Sequence, residues 1–232
     1  MGSSPAEATP SSLSRQHVDR RLFRLALPAL GTLAVEPLYV ATDTAIIGRV
    51  GAEELAGLAA AGTILALIVA GTNFLAYGTT ERIASARGAQ NEARSGAFAQ
   101  HALLLGVIIG MLACAALVPL ASPIISLLGA GQEATSHGIR YLRIAAFGLP
   151  AVVVMVAAQG VLRGHADYRR PLVVLMVSNI LNAVIEIPLV FWADLSITGS
   201  AVSTVIAQYV GAIWLVIIVN PHLLLGRRFS VQ

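Results

Sequence analysis

The chain has 232 residues, of which 56% are hydrophobic and 12% are charged, and its mean hydropathy is +0.78. Soluble domains carry about 25% charged residues, so this composition excludes a soluble globular protein and indicates an integral membrane protein. The net charge of +3 comes from fifteen arginines and no lysine. Because the arginines lie in small groups between apolar runs, they predict membrane topology and exclude a nucleic-acid partner.

The apolar runs predict an all-α membrane protein with six transmembrane helices. Residues 1–21 are polar and rich in serine and proline, and they predict a cytoplasmic segment without a cleavable signal. A helix that crosses a bilayer needs about 20 mostly apolar residues. Residues 22–219 contain six such runs, and residues 220–232 form a predicted cytoplasmic tail that begins where Asn220 and Pro221 stop the last helix. The runs are 22–47, 55–78, 97–119, 139–162, 171–192 and 199–219.

Two connections and two prolines interrupt this simple pattern. We expect the third run to end at Pro119 and the fourth to kink near Pro150, because proline removes a helical hydrogen bond. Residues 79–96 are polar and compatible with a helical cytoplasmic extension. Residues 120–137 contain an apolar piece too short to span, and we expect it to lie at the outer interface.

The arginines divide unevenly between the two sides of the predicted bundle. Only Arg49, Arg140 and Arg143 fall in segments on the predicted outer side. By the positive-inside rule, both termini are therefore cytoplasmic. The other twelve lie in the terminal segments and in the second-to-third and fourth-to-fifth connections: Arg15, Arg20, Arg21, Arg24, Arg82, Arg87, Arg94, Arg163, Arg169, Arg170, Arg227 and Arg228.

Three carboxylates fall inside predicted spans: Glu36, Asp43 and Glu186. A charged carboxylate at the centre of a bilayer costs at least ~2.5–3.5 kcal/mol, and such residues typically carry protons or cations. Glu36 and Asp43 are two helical turns apart and share a face of the first span. Burial disfavours the charged form of a carboxylate, which suits a reversible proton carrier. Glu36 also fits a neutral packing residue beside Pro37.

Polar uncharged residues accompany these acids. Asn182 lies one turn before Glu186 on the fifth span, and Gln159 adds an amide at membrane depth on the fourth. Amides and hydroxyls in spans also hydrogen-bond neighbouring helices at about 0.6 kcal/mol each, and this bland role is the one we assign to Ser178 and Asn179. For Asn182 and Gln159 we predict a site shared with Asp43 and Glu186, where a proton or Na⁺ competes with substrate.

The sequence predicts no enzyme and no resident cofactor. Its five histidines are scattered without metal-ligand spacing, and it contains no H-E-x-x-H, G-x-S-x-G or phosphate-binding loop motif. No serine or threonine hydroxyl has an evident base at the same depth. Cys114 is the only cysteine and fits a small packing residue.

Several motifs together resemble the multidrug and toxic compound extrusion (MATE) transporters, most closely their DNA-damage-inducible branch. L-x-L-P-A-L at 25–30, E-P-L at 36–38 and D-T-A-x-I-G-x-x-G at 43–51 are similar to the family's first helix. Q-G-V-L-R-G-H-A-D-Y-R-R-P at 159–171 resembles its signature between helices four and five. N-x-x-x-E-x-P-L at 182–189 resembles its fifth-helix pattern, which usually reads N-x-x-x-D.

The resemblance implies a cation-coupled antiporter of the plasma (inner) membrane that expels amphipathic, often cationic, organic compounds. It implies a cation site at Asp43, Asn182 and Glu186, with H⁺ or Na⁺ as the coupling ion. Gln159 stands where the family usually has Asn, and Glu186 where it usually has Asp. Both changes keep the polarity and lengthen the side chain by one methylene, which affects Na⁺ chelation geometry more than protonation.

MATE transporters have twelve helices in two lobes, and this chain supplies six, equivalent to the N-terminal lobe. The resemblance thus implies a fragment, a truncated product or a half-transporter whose partner is a C-terminal lobe or a second copy. Two alternatives stay open. A lipid-linked precursor flippase of the same superfamily would favour a cationic cavity, yet no arginine lies in the middle of a predicted span. A membrane assembly protein without transport would have no use for the buried acids.

Overall fold

The structure, a computed structural model, describes residues 30–31, 34–35, 37–129 and 131–229, with side chains through residue 220. Within these ranges the chain is helical apart from short turns and contains no strand, which confirms the all-α fold. The first helix, α1, covers 37–47, and residues 30–31 and 34–35 are also helical. The other helices are α2 (Ala52–Gly88), α3 (Glu92–Leu127), α4 (Gln132–Ala145), α5 (Leu149–Gly164), α6 (Arg169–Phe191) and α7 (Ser196–Phe229).

Five segments of the described chain are long and apolar enough to cross a membrane. They match the second to sixth predicted runs, because about 20 apolar residues can avoid water only by spanning or by deep burial. The first predicted run, 22–47, lies partly outside the described residues. The spanning segments are Ala52–Gly88, Glu92–Leu127, Gln132–Gly164, Arg169–Phe191 and Ser196–Asn220.

The predicted end of the third helix at Pro119 is wrong. The α3 helix continues through Pro119 and Pro123 to Leu127, so the first part of the predicted interfacial piece, 120–137, is its last two turns. The rest of that piece belongs largely to α4. A proline costs one helical hydrogen bond, whereas an irregular segment in lipid would leave several backbone groups without partners. Continuing the helix is therefore the cheaper solution.

The predicted stop at Pro221 is also wrong, since α7 continues as a helix to Phe229, beyond the apolar segment that ends at Asn220. The polar link 79–96 is helical as expected, except for a break between Gly88 and Glu92. Asn91 caps the new helix there, because its Oδ1 accepts a hydrogen bond from the Arg94 amide at 2.9 Å.

The helix changes type just before Pro150, where the sequence predicts a kink. Residues Ala146–Gly148 form one turn of 3-10 helix between α4 and α5, with the Leu149 amide bonded to the Ala146 carbonyl. The tighter turn satisfies a carbonyl that a proline four residues later cannot serve. The hydroxyl of Tyr209 on α7 donates to the Phe147 carbonyl at 3.1 Å, so a neighbouring helix serves another backbone group at the break.

The α4–α5 segment is the centre of the bundle. In the most apolar 18-residue stretch of this segment, 72% of the residues are buried, against 17–39% in the corresponding stretches of the other four segments. Small residues allow the neighbours to approach closely: a Cβ on Gly57 of α2 would lie 2.7 Å from the Gly138 amide of α4, and one on Gly160 of α5 would lie 2.7 Å from the Ala76 carbonyl. Close approach is the main source of helix association in lipid, where apolar burial adds little.

The bundle has two chemically different ends. The turns 48–51 and 192–195 lie at one end, which we call the acidic end because it contains Asp43 and Glu186. The connections 89–91 and 165–168 lie at the opposite end, which we call the arginine end. The positive-inside rule predicts that the arginine end faces the cytoplasm.

Cysteine labelling tests this orientation. Cys114 is buried and would first be replaced by alanine. Cysteines at the exposed positions Ala89 and Ala166 should react with an impermeant maleimide only in opened cells, whereas one at the exposed Ala193 should react in intact cells. Ser95 is unsuitable as a probe because it is 1% exposed. Labelling of Ala89→Cys or Ala166→Cys in intact cells would show that the arginine end faces outward, contrary to the predicted topology.

Candidate functional site

The carboxyl groups of Asp43 and Glu186 meet near the acidic end of the bundle. Asp43 lies one turn before the end of α1, and Glu186 faces it from the outer part of α6; they are 5% and 0% exposed. Asp43 and Ser200 are the side chains whose charge and hydrogen-bonding groups lie within interaction range of the Glu186 carboxyl. The structure thus brings together the two acids that the sequence singled out on separate helices.

One hydroxyl serves this pair of acids. Ser200, in the first turns of α7, donates its Oγ proton to Asp43 Oδ1 at 2.7 Å. Within the described part of the chain, neither oxygen of Glu186 has a hydrogen-bond partner of good geometry. Burial and a neighbouring like charge both disfavour the charged form of a carboxyl group, so keeping both of these acids charged without a compensating cation is costly. A proton or a small cation shared between Asp43 and Glu186 would satisfy both groups.

Asn182 extends the cluster by one turn of α6. Its amide nitrogen donates to the hydroxyls of Ser203 at 3.2 Å and Thr204 at 3.3 Å on α7. The hydroxyl of Tyr39, one turn before Asp43 on α1, lies 2.9 Å from Thr204 Oγ1. Asn182, Ser203 and Thr204 are all buried and Tyr39 is half-buried, and the network connects α1, α6 and α7.

A residue of the central helix completes the surroundings. Tyr141 of α4 is 3% exposed and lies beside Thr204 and within electrostatic range of both Asp43 and Glu186. Four helices therefore contribute side chains to one polar cluster. Its members are Tyr39, Asp43, Tyr141, Asn182, Glu186, Ser200, Ser203 and Thr204, which we call the acid cluster.

The structure does not place Gln159 in the acid cluster. Its Oε1 accepts a hydrogen bond from Arg163 at 3.2 Å, toward the arginine end. Met155 and Ser178 contact the same glycine of α7 and so lie at one depth. Gln159 is one turn, about 6 Å, from that depth, and Glu186 is two turns, about 12 Å, away in the opposite direction. The predicted sharing of one site by these residues therefore does not hold for Gln159 in this conformation.

The remaining polar residues of the spans separate in the same way. Asn179 donates to the Val35 carbonyl at 3.3 Å and so connects α6 to the helical residues before α1, in agreement with its predicted role as a hydrogen-bonding contact between helices. Ser178 is buried, and its hydroxyl has no partner among the described residues. Glu36, the third candidate acid, lies outside the described residues.

The hydroxyls of α7 were missed by the sequence analysis. Ser200, Ser203 and Thr204 have the i, i+3, i+4 spacing of one helix face, the same signal that identified Asn182 and Glu186. The expectation that no serine or threonine hydroxyl has a base at the same depth is wrong for Ser200, whose hydroxyl donates to the Asp43 carboxyl group. Among the described residues no three His, Cys, Asp or Glu side chains form a metal-binding group, and the predicted Na⁺ ligands stay a prediction.

Comparisons with known proteins agree with this fold and these motifs. The MatE family model matches residues 28–187. The chain is 32% identical to DETOXIFICATION 45, chloroplastic, of Arabidopsis thaliana, over 90% of this chain and 41% of that one. It is 31% identical to DNA damage-inducible protein F of Escherichia coli, over 82% of this chain and 42% of that one.

Solved structures give the same result in three dimensions. A crystal structure of MATE in the bent conformation superposes with a TM-score of 0.80 at 25% identity, over 84% of this chain and 44% of that one. The chain thus spans less than half the length of the relatives that it matches, which is the extent of one lobe. The family match, the identities and the superposition confirm the resemblance seen in the motifs: this multi-pass membrane chain belongs to the MatE family of multidrug and toxic compound transporters.

Proposed function

We propose that the chain forms the N-terminal lobe of a cation-coupled antiporter that exports amphipathic, often cationic, organic compounds across the plasma membrane. The observation that carries this proposal is the buried pair of Asp43 and Glu186, for which Ser200 is the one hydrogen-bond donor found among the described residues. Ionisable residues inside membrane helices are expensive and mark ion pathways. When no cation is bound, charging both carboxyl groups is costly, and binding a proton or a small cation removes this cost.

The acid cluster supports exchange because its charge decides which ligand it attracts: the coupling ion and the cationic substrate compete for the same negative charge. When a proton or Na⁺ neutralises the pair, the cluster loses its attraction for a cationic substrate; when the ion leaves, the negative charge returns. Competition of this kind couples the two fluxes without direct contact between ion and substrate. The coupling ion is H⁺ or Na⁺, and the termini are cytoplasmic in this proposal.

The partner in transport is a second six-helix unit. Alternating access normally works by one unit rocking against another around a central site, and this chain spans less than half of its relatives. We propose that a C-terminal lobe, or a second copy in the same orientation, supplies the opposing wall.

Everted membrane vesicles test the coupling. Vesicles that contain the chain with its second unit should take up ethidium when their lumen is made acidic, or when it is loaded with Na⁺, and each gradient is imposed alone. A response to only one gradient identifies the coupling ion. Uptake that is indifferent to both gradients would refute cation coupling, and no uptake above that of empty vesicles would refute export.

A further inference from the structure

Two arginines share one aromatic ring at the arginine end, away from the acid cluster. The guanidinium carbon of Arg82 on α2 lies 5.6 Å from the centroid of the Phe98 ring, and that of Arg94 on α3 lies 5.4 Å from it. Phe98 is half-buried and packs against the hydrophobic core that contains Ile83 and Ala99. The ring is thus a fixed platform that holds two cations together at the junction of α2 and α3.

Neither of these arginines has a counter-ion among the described residues. Other arginines at this end do have polar partners: Arg87 lies 4.0 Å from Glu92 and Arg170 lies 3.3 Å from Asp167. Arg82 and Arg94 are exposed, and no described carboxylate lies within the same 4.0 Å of either. The two positive charges repel each other, and a cation–π contact at an exposed site returns only about 0.5–1 kcal/mol. An anion between them would remove the repulsion.

The position of this pair specifies the kind of anion. Phe98 stands where the polar start of α3 gives way to its apolar part, and most exposed side chains that follow toward the bundle centre are apolar, with His101 on α3 and Asn73 on α2 as the polar exceptions. Phe74 and Tyr77 on α2 are 60% and 69% exposed, and Leu105 on α3 is 41% exposed. A surface of this kind suits contact with acyl chains, which would place the two guanidinium groups at the level of the lipid headgroups.

We propose that Arg82 and Arg94 bind the phosphate of an anionic phospholipid in the leaflet at the arginine end. Guanidinium groups present paired donors that match phosphate oxygens. Basic residues at the membrane surface each contribute about 1 kcal/mol to attraction of anionic lipid. The lipid would bridge α2 to α3 across the break at 89–91 while its acyl chains cover the exposed face below Phe98.

Lipid titration of the purified chain tests this assignment. In a neutral detergent, phosphatidylglycerol should bind and raise the melting temperature more than phosphatidylcholine, with bound copies counted by native mass spectrometry. The double variant Arg82→Gln, Arg94→Gln should bind phosphatidylglycerol roughly thirtyfold more weakly. Arg87→Gln makes the same charge change at a paired arginine and should stay within about twofold of the wild type.

Three outcomes would overturn the proposal. They are wild-type affinity in the double variant, an equal loss in Arg87→Gln, and equal stabilisation by glycerol phosphate, which would indicate a site for soluble anions. If the double variant melts early even without lipid, the single variants Arg82→Gln and Arg94→Gln replace it, each with an expected loss of about fivefold. Single variants that lower stability yet keep full preference for phosphatidylglycerol would show that the ring contacts only join the helices.

Discussion

Replacing Asp43 with asparagine should reduce cation-driven export to background while the protein still inserts and folds. Asparagine resembles a permanently protonated aspartate, so the variant cannot alternate between charge states. Its amide oxygen can still accept the 2.7 Å hydrogen bond from Ser200, so the acid cluster keeps its packing. We expect the variant to lose the response of ethidium uptake to pH and Na⁺ gradients in the transport-competent protein.

Two matched variants separate this effect from a general loss of charge. Asp194→Asn makes the same chemical change in an exposed turn at the acidic end, where the backbone φ of 53° is one that asparagine tolerates; it should export normally. Glu36→Gln should have a milder effect than Asp43→Asn. Export by Asp43→Asn that still depends on pH would remove Asp43 from the coupling mechanism.

The second large effect concerns the chain by itself. Vesicles that contain only residues 1–232 as monomers should show no export, although the chain inserts and folds. The helices pack on one another through contacts within the chain, with α4–α5 at the centre, so folding needs no partner. A lone unit nevertheless has no opposing wall, and a substrate at the acid cluster could not be closed off from one side of the membrane.

Cross-linking and transport on the same vesicles decide the matter. Export that appears only when dimers are present would identify self-association, and export that appears only with an added C-terminal lobe would identify a divided transporter. Robust antiport from a demonstrated monomer would refute the half-transporter hypothesis.

Hydropathy predicted the order and approximate position of the five described spans because a bilayer permits few alternatives. It did not predict where they end. Pro119 and Pro123 are helix breakers in water, yet the structure continues α3 through them. In lipid the alternative to a helix is an irregular backbone that has no hydrogen-bond partners. Continuing the helix through a proline loses fewer hydrogen bonds than ending it, so a proline does not mark a helix end there as it does in water.

The two acids of the site could be predicted because a buried carboxylate is costly wherever it lies. Their neighbours could not be predicted on the same argument. Ser200 and Thr204 cost little in a membrane helix and look like ordinary packing hydroxyls, although they contact Asp43 and Asn182. Gln159 was assigned to the wrong depth because the sequence does not show how far α5 and α6 are offset from each other along the axis of the bundle.

The hydrogen bond between Ser200 and Asp43 joins residues 157 positions apart in the chain. During synthesis α1 enters the membrane first, and α7 is made last among the described helices. Until α7 has been made, Asp43 lacks the Ser200 hydroxyl that donates to it. A charged carboxylate is costly inside a bilayer, so we expect Asp43 in the nascent protein to be neutral or to lie near the aqueous surface. The same late arrival of α6 brings Glu186. The Asp43–Glu186 pair is therefore complete only after α6 has been made, and it gains the Ser200 hydroxyl only with α7, so the acid cluster as a whole forms late in synthesis.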